Sequence, residues 1–310
     1  MQLRPLGRTG LNVSALSLGG AAFGNIYGNL TLDQIRRTVV RSIESGINLI
    51  DTSPYYGLTK SESNLGEVLQ HGWREKIILC SKAGRNDRAA FDFSPEAMRR
   101  SVEASLKRLR TDYLDILIAH DIEFTDNFEK VFTETRDVLH ALKKEGKCRF
   151  IGMSCYPLSL LKKVIETCQI DVIITYSNFC LQNTRLIDEL LPTLEKFEVG
   201  VLNASPLSMG LLTNQGPPEW HPASPEIKAA CRKAAEHCRN RGSDISLLGM
   251  QFCLAESRIS SVISGASTEE EIQTNLQALS QKPDPQLLAK VLEILKPVHN
   301  QTWFAGNWKT

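Results

Sequence analysis

Ser94-Pro95-Glu96-Ala97-Met98-Arg99-Arg100-Ser101-Val102-Glu103-Ala104-Ser105-Leu106-Lys107-Arg108-Leu109, followed shortly by Tyr113-Leu114-Asp115-Ile116-Leu117-Ile118-Ala119-His120, is the stretch on which the fold turns. Ser94 is an N-cap, Pro95 suits the first helical position, and Met98, Val102, Leu106 and Leu109 form one apolar stripe. The run Tyr113–Ala119 is short and apolar on both faces, as in a strand of a buried parallel sheet. Helix and strand alternate in this way along the chain. Strands are predicted at 14–18, 47–50, 76–80, 113–119, 149–153, 171–175, 199–204 and 259–263. Helices are predicted from the Thr31/Gln34 capping box to Gly46, and over 61–70, 94–109, 129–144, 158–168, 186–197, 226–241 and 245–256. One more follows a Ser267/Glu270 capping box to about 279, and another spans 286–295 before a tail over 301–310. Eight strands with helical crossovers predict an α/β fold, a single (β/α)8 TIM-type barrel, with no linker dividing residues 1–310. The irregular segment 205–225, with five prolines, is a long loop at the C-terminal face. An open doubly wound sheet would carry Gly-x-Gly-x-x-Gly after an early strand, and neither that motif nor a P-loop occurs.

Lys and Arg number 36 against 35 Asp and Glu, so charge offers no case for nucleic acid or an anionic membrane as partner. Residues 1–10 do not resemble a signal peptide, and no apolar run reaches the roughly 20 residues of a membrane span. None of the eight cysteines forms a Cys-x-x-Cys pair, and several lie in apolar runs such as Ile77–Cys80. Reduced, buried thiols in a cytoplasmic protein are expected, with no metal site and no obligate protein partner.

In a barrel of this type, chemistry sits at the C-terminal strand ends. Asp51, Lys82 and His120 end consecutive strands, and Tyr56 lies in the loop just after Asp51. Singly, each has an ordinary structural alternative: a turn cap, a loop packer, a surface cation, a satisfied buried imidazole. Together they form a proton-transfer unit. A phenol titrates near pH 10, an adjacent ammonium favours the phenolate, and a carboxylate holds that ammonium charged. An imidazole can orient the oxygen of a substrate.

Asp51-Thr52-Ser53-Pro54-Tyr55-Tyr56-Gly57 with Lys82 and His120 resembles the catalytic tetrad of the aldo-keto reductase family, with Tyr56 rather than Tyr55 matching the family tyrosine. Arg4–Gly10 and Gly146–Gly152 are similar to that family as well. The resemblance implies a nicotinamide cofactor lying extended across the strand ends. By resemblance its contacts fall on Ser154 (carboxamide), Tyr176 (ring), the loop Ser205, Leu207, Met209, Gly210 and Leu211 (pyrophosphate), Gly265 and Ser267 (adenosine phosphate), and Asn275 (adenine). Glu271 stands where members preferring NADP carry a basic residue, so NAD is expected over NADP. The alternative is that Glu269–Glu271 only complement a helix N-terminus.

The segments 120–124, 204–213 and 215–226 resemble members that oxidise an aldose at C1 to a lactone with NAD. A sugar is therefore the expected partner. Phe23, Asn25, Asp121, Trp220 and Trp303 are the candidate substrate contacts beside His120. Three rivals stand beside this expectation. The first is an NADPH-driven aldehyde or ketone reductase. The second is a nucleotide-sensing binding module, for which no exposed apolar run speaks. The third is a barrel with a broken tetrad, which the intact residue types oppose.

Overall fold

The computed structural model describes residues 1–26 and 28–309; Thr310, the end of the expected tail, lies outside them. Eight parallel strands close a barrel in chain order: β3 (Leu16–Gly19), β4 (Leu49–Asp51), β5 (Ile78–Ala83), β6 (Leu114–Ala119), β7 (Cys148–Ser154), β8 (Val172–Tyr176), β9 (Gly200–Ala204) and β10 (Ser261–Gly265), the last pairing with β3. They are preceded by an antiparallel hairpin, β1 (Leu3–Pro5) and β2 (Asn12–Ser14), which the sequence reading did not anticipate. Its strands are three residues each, too short to display a period. Leu6 and Val13 from the hairpin pack with Leu49, Cys80, Ile116, Val172 and Leu202 inside the barrel. The hairpin thus plugs the N-terminal mouth and leaves the opposite rim free. Arg4 pins it in place by donating to Leu254 O, Glu256 O and Ile259 O.

The outer layer consists of α1 (Leu32–Glu44), α2 (Lys60–Val68), α3 (Pro95–Leu109), α4 (Phe128–Lys130), α5 (Arg136–Lys144), α6 (Leu158–Cys168), α7 (Leu191–Phe197), α8 (Pro225–Asn240), α9 (Ile245–Ala255), α10 (Glu269–Ser280) and α11 (Pro285–Leu295). The expected caps of α1 and α3 are formed: Thr31 and Gln34 make their reciprocal box, and Ser94 accepts from Ala97 N–H. Two predicted helices contain π-helical turns, Val131–Thr135 and Leu186–Leu190, each adding one residue per turn that apolar spacing does not reveal.

Two predictions are corrected at β10 and α10. The eighth strand begins two residues late, because Arg4 takes the carbonyl of Ile259 and pairing with β3 sets the register Val262↔Leu16 to Gly265↔Gly19. The cap of α10 is Thr268, not Ser267. Thr268 Oγ1 accepts from Glu271 N–H, and the Glu271 carboxylate turns back to the N–H of Ser267 at 2.6 Å. The cap is shifted by one residue because the helix starts one residue later, and the Glu271 carboxylate accepts from Ser267 N–H rather than closing a reciprocal box on Thr268. All eight cysteines are buried and unbridged. Among the described residues, no helix is long and apolar enough to cross a membrane, and no cluster of His, Cys, Asp and Glu is arranged to hold a metal ion.

Candidate active site

Asp51 is the last residue of β4, and Lys82 is the penultimate residue of β5, in register with Ile118 of β6. Parallel pairing brings both side chains to the C-terminal rim. Lys82 Nζ donates to Asp51 Oδ1 at 2.7 Å and Oδ2 at 2.6 Å, to Thr52 O at 2.8 Å, and reaches Tyr56 Oη at 3.2 Å. The Tyr56 backbone is held by a close approach of two loops. Gly57 has φ +64°, and a Cβ there would strike the backbone of Gly24. Glycine is therefore required on steric as well as conformational grounds.

Electrostatics separate these groups. Burial is the largest single influence on Lys82 and disfavours its charge, but Asp51, Tyr56 and Cys80 together overcome it and hold the ammonium above its usual value. Burial also dominates at Tyr56 and holds the phenol above its usual value, against the lowering influence of Lys82. Lys82 pulls the phenol in the expected direction, but burial, which the sequence does not display, is the larger influence. In this state Lys82 offsets only part of the desolvation.

His120 directly follows β6. Its Nδ1 lies 3.0 Å from Ser53 Oγ, and its ring meets the Tyr56 ring edge-on at 5.9 Å between centroids. Burial, then Lys82 and Arg85, hold the imidazole well below its ordinary value, so it is neutral. Asp121 adopts a left-handed backbone, and its carboxylate forms an ion pair with Arg85. Tyr55, the neighbour not matched to the tetrad, lies under that guanidinium at 3.7 Å.

A cleft of about 640 Å³ opens at this rim, lined by Asp51 and Tyr56, by Ser205, Leu207, Met209 and Gly210, by Ser264 and Gly265, and by Trp220. Gly19 and Gly265, paired across β3 and β10, also line it. Neither carries a side chain that would fill it. Ser205, Ser208, Met209 and Gly210 all have positive φ, a concentrated backbone strain that points amides in directions ordinary loops do not. These features fit an elongated anionic cofactor along Ser205, Leu207, Met209, Gly210 and Gly265; Ser154, Tyr176, Leu211, Ser267, Glu271 and Asn275 do not line this cleft. Leu211 is buried beneath the loop. Ser154 Oγ accepts from Asp121 N–H, and Asn275 donates to Ser264 Oγ at 3.3 Å. Tyr176 Oη donates to Glu123 Oε1 at 2.9 Å.

The substrate candidates scatter more widely. Trp220 is exposed at the cleft edge, and Asp121 lies beside His120. Trp303 stacks on Tyr156 at 4.9 Å and meets His221 edge-on. Asn25 supports its own turn by accepting from Leu30 N–H. Phe23 is fully buried in the core and offers no surface to a sugar. Sequence reasoning missed Arg85, Ser53 and Glu123. Glu123 is a fully buried carboxyl; burial and Asp121 push it up to about 8. The one available signal was its place in the segment 120–124, whose composition is unusually acidic for a strand end.

Known proteins resemble the chain over nearly its whole length. The model of the Aldo/keto reductase family matches residues 15–296. The chain is 44% identical to L-galactose dehydrogenase of Arabidopsis thaliana, covering 99% of this chain and 98% of that one. It is 32% identical to D-arabinose 1-dehydrogenase of Saccharomyces cerevisiae, over 95% and 94%. It is 28% identical to the NADH-specific methylglyoxal reductase of Escherichia coli, over 96% and 100%. Among solved structures, the holo form of an aldo-keto reductase from Bacillus halodurans superposes with a TM-score of 0.78 at 26% identity, over 99% of both chains. With a closed barrel, a Lys82–Asp51–Tyr56 cluster at its C-terminal rim and a match over nearly its whole length, the chain belongs to the aldo/keto reductase family of oxidoreductases.

Proposed function

We propose that this protein oxidises an aldose at C1 to the lactone with NAD, L-galactose to L-galactono-lactone being the leading substrate and product. The observation that carries the reading is Lys82 Nζ bridging the Asp51 carboxylate and the Tyr56 hydroxyl beside an open cleft. In the reaction, Tyr56 accepts the proton of the C1 hydroxyl, Lys82 stabilises the phenolate, Asp51 keeps Lys82 charged, and His120 donates to the oxygen at C1. When bound, the nicotinamide supplies the acceptor for the C1 hydride and a positive ring charge that favours the phenolate. Ser154, Tyr176, Ser205, Leu207, Met209, Gly210, Leu211, Gly265, Ser267 and Asn275 are the residues assigned to it; Asp121, Trp220 and Trp303 are assigned to the sugar. The 44% identity to a named L-galactose dehydrogenase supports the choice of sugar, and the D-arabinose 1-dehydrogenase relative supports the C1 chemistry.

NAD is preferred over NADP in this proposal because the Glu271 carboxylate already occupies the free amide of Ser267. A 2′-phosphate there would meet a like charge. Residues 1–310 work as one unit, and the buried unpaired cysteines suit the cytosol. A panel of L-galactose, L-fucose, D-arabinose and simple aldehydes, each with NAD and NADP, tests the reading. Lactone formed fastest from L-galactose with NAD is the expected result. Faster NADPH-driven reduction of aldehydes would replace it with the reductase alternative.

A further inference from the structure

Arg85 is a charged residue at this rim that neither the tetrad nor the cofactor contacts explain. It follows β5 by two residues, and its side chain is 14% exposed. The guanidinium lies flat on Tyr55 at 3.7 Å, with Phe91 at 5.1 Å and Phe124 at 5.7 Å from their centroids, and it pairs with Asp121. Asp121 Oδ2 is in turn 3.6 Å from His120 Nε2. An unpaired carboxylate at that distance would draw a proton onto the imidazole. The other ring nitrogen is already engaged. Ser53 Oγ accepts from Tyr55 N–H and lies 3.0 Å from His120 Nδ1. When the Ser53 hydroxyl donates to Nδ1, the ring N–H sits on Nε2.

We propose that Arg85 is a positioning residue for His120: by holding the charge of Asp121 it keeps the imidazole a neutral donor, through Nε2, to the oxygen at the reacting carbon. This deepens the function proposed above and rests on it for the identity of that oxygen. The groups facing His120 are Ser53, Tyr55 and Tyr56 from the loop after β4, Lys82 and Arg85 from β5 and its loop, and Asp121 from the end of β6. Ser154, at the end of β7, faces Asp121 through its N–H. Asp121 is the one whose charge favours an imidazolium at contact distance. Lys82 and Arg85 oppose it, and Arg85 does so twice, directly and by pairing with Asp121.

The test uses the full-length protein labelled in histidine. Imidazole titration by NMR is followed in the wild type, Arg85→Gln, Arg85→Lys, Asp121→Asn and the double variant Arg85→Gln/Asp121→Asn. His120 in Arg85→Gln is expected to titrate at least about one pH unit higher than in the wild type. Arg85→Lys should restore most of the wild-type behaviour. In the Asp121→Asn background, removing Arg85 should produce a shift less than half as large, because the charge it held is gone. With NAD and L-galactose, the acid limb of kcat/KM should move upward with the imidazole in Arg85→Gln. Two outcomes overturn the proposal: a His120 titration unchanged in Arg85→Gln, or a loss of kcat/KM by the same factor at every pH. If Arg85→Gln does not fold, the contrast between Arg85→Lys and Asp121→Asn decides, since only the latter should lower the His120 titration. The NMR arm needs no turnover, so a failure to oxidise any aldose would count against the proposed function and leave this assignment to be judged by the titrations.

Discussion

Neutralising Asp51 isolates the interaction on which the site depends. Asp51 and Lys82 have side-chain exposures of 5% and 2%, and Lys82 Nζ lies 2.7 and 2.6 Å from the two carboxylate oxygens. Asp51→Asn keeps the shape and one acceptor but removes the countercharge, leaving a buried ammonium. Breaking a buried pair in this way costs about 3–5 kcal/mol. At roughly 2.1 cal/mol/K of unfolding entropy per residue, a chain of 310 residues loses about 1.5 °C for each kcal/mol, so Tm should fall by about 5–8 °C. The pH dependence has a definite sign. In the wild type Lys82 is held above its ordinary value, so its stabilisation is complete below about pH 10 and fades only as pH rises through the elevated value. Without the Asp51 charge, burial, already the largest single influence, loses its main opponent and drives the ammonium below its ordinary value. The deficit of the variant is then greatest near neutrality and shrinks as pH rises toward the unfolded value of about 10.4, since the folded variant already carries a neutral amine over that range. Thermal unfolding by circular dichroism at about pH 7 and about pH 9.5 reads both effects. A variant within about 2 °C of the wild type near neutrality, or a deficit that grows with pH, would refute the reasoning.

Other outcomes follow from the same geometry. Tyr56→Phe should lower kcat by about 10²–10⁴-fold, the usual weight of a positioned acid–base group, while fluorescence titration shows NAD affinity nearly unchanged. Glu271→Arg should raise kcat/KM with NADP relative to NAD by about tenfold or more, because the Ser267 amide is freed and a fork for phosphate is added; an unchanged ratio would count against the role of Glu271. Glu123→Gln should melt higher than the wild type at alkaline pH and equal to it near pH 4. Its carboxyl is pushed up to about 8 by burial, so the folded wild type loses stability as pH rises from the ordinary carboxyl range through that value. Leu6→Ala, which opens a void in the barrel plug, should cost about 2–5 kcal/mol in denaturant unfolding without changing KM for NAD.

The barrel was legible because its elements announce themselves locally. Ser94-Pro95 and Thr31/Gln34 mark helix starts, and Tyr113–Ala119 marks a buried strand before any tertiary contact is known. Asp51, Lys82 and His120 were legible for a related reason, since each falls at the end of an identifiable strand. The hairpin over 3–14 was not, because its strands are too short to show alternation and are held by Arg4 reaching some 250 residues along the chain. Arg85 looked like an ordinary loop cation; only folding places Tyr55, Phe91 and Asp121 around it. Phe23 misled in the opposite sense, because an aromatic after a barrel strand can turn into the core as readily as into a cleft. Ser267 and Thr268 are chemically equivalent as caps of α10, so sequence alone does not separate them; in the fold Thr268 accepts from Glu271 N–H.

Deuterium at C1 of L-galactose gives the most direct measurement of whether Tyr56 and Lys82 serve hydride chemistry at that carbon. With NAD and the wild-type protein, mass spectrometry should find the label on the reduced nicotinamide and lactone as the co-product, with both lost together in Tyr56→Phe. Unlabelled NADH from the deuterated sugar, or label transfer that survives Tyr56→Phe at the wild-type rate, would contradict it.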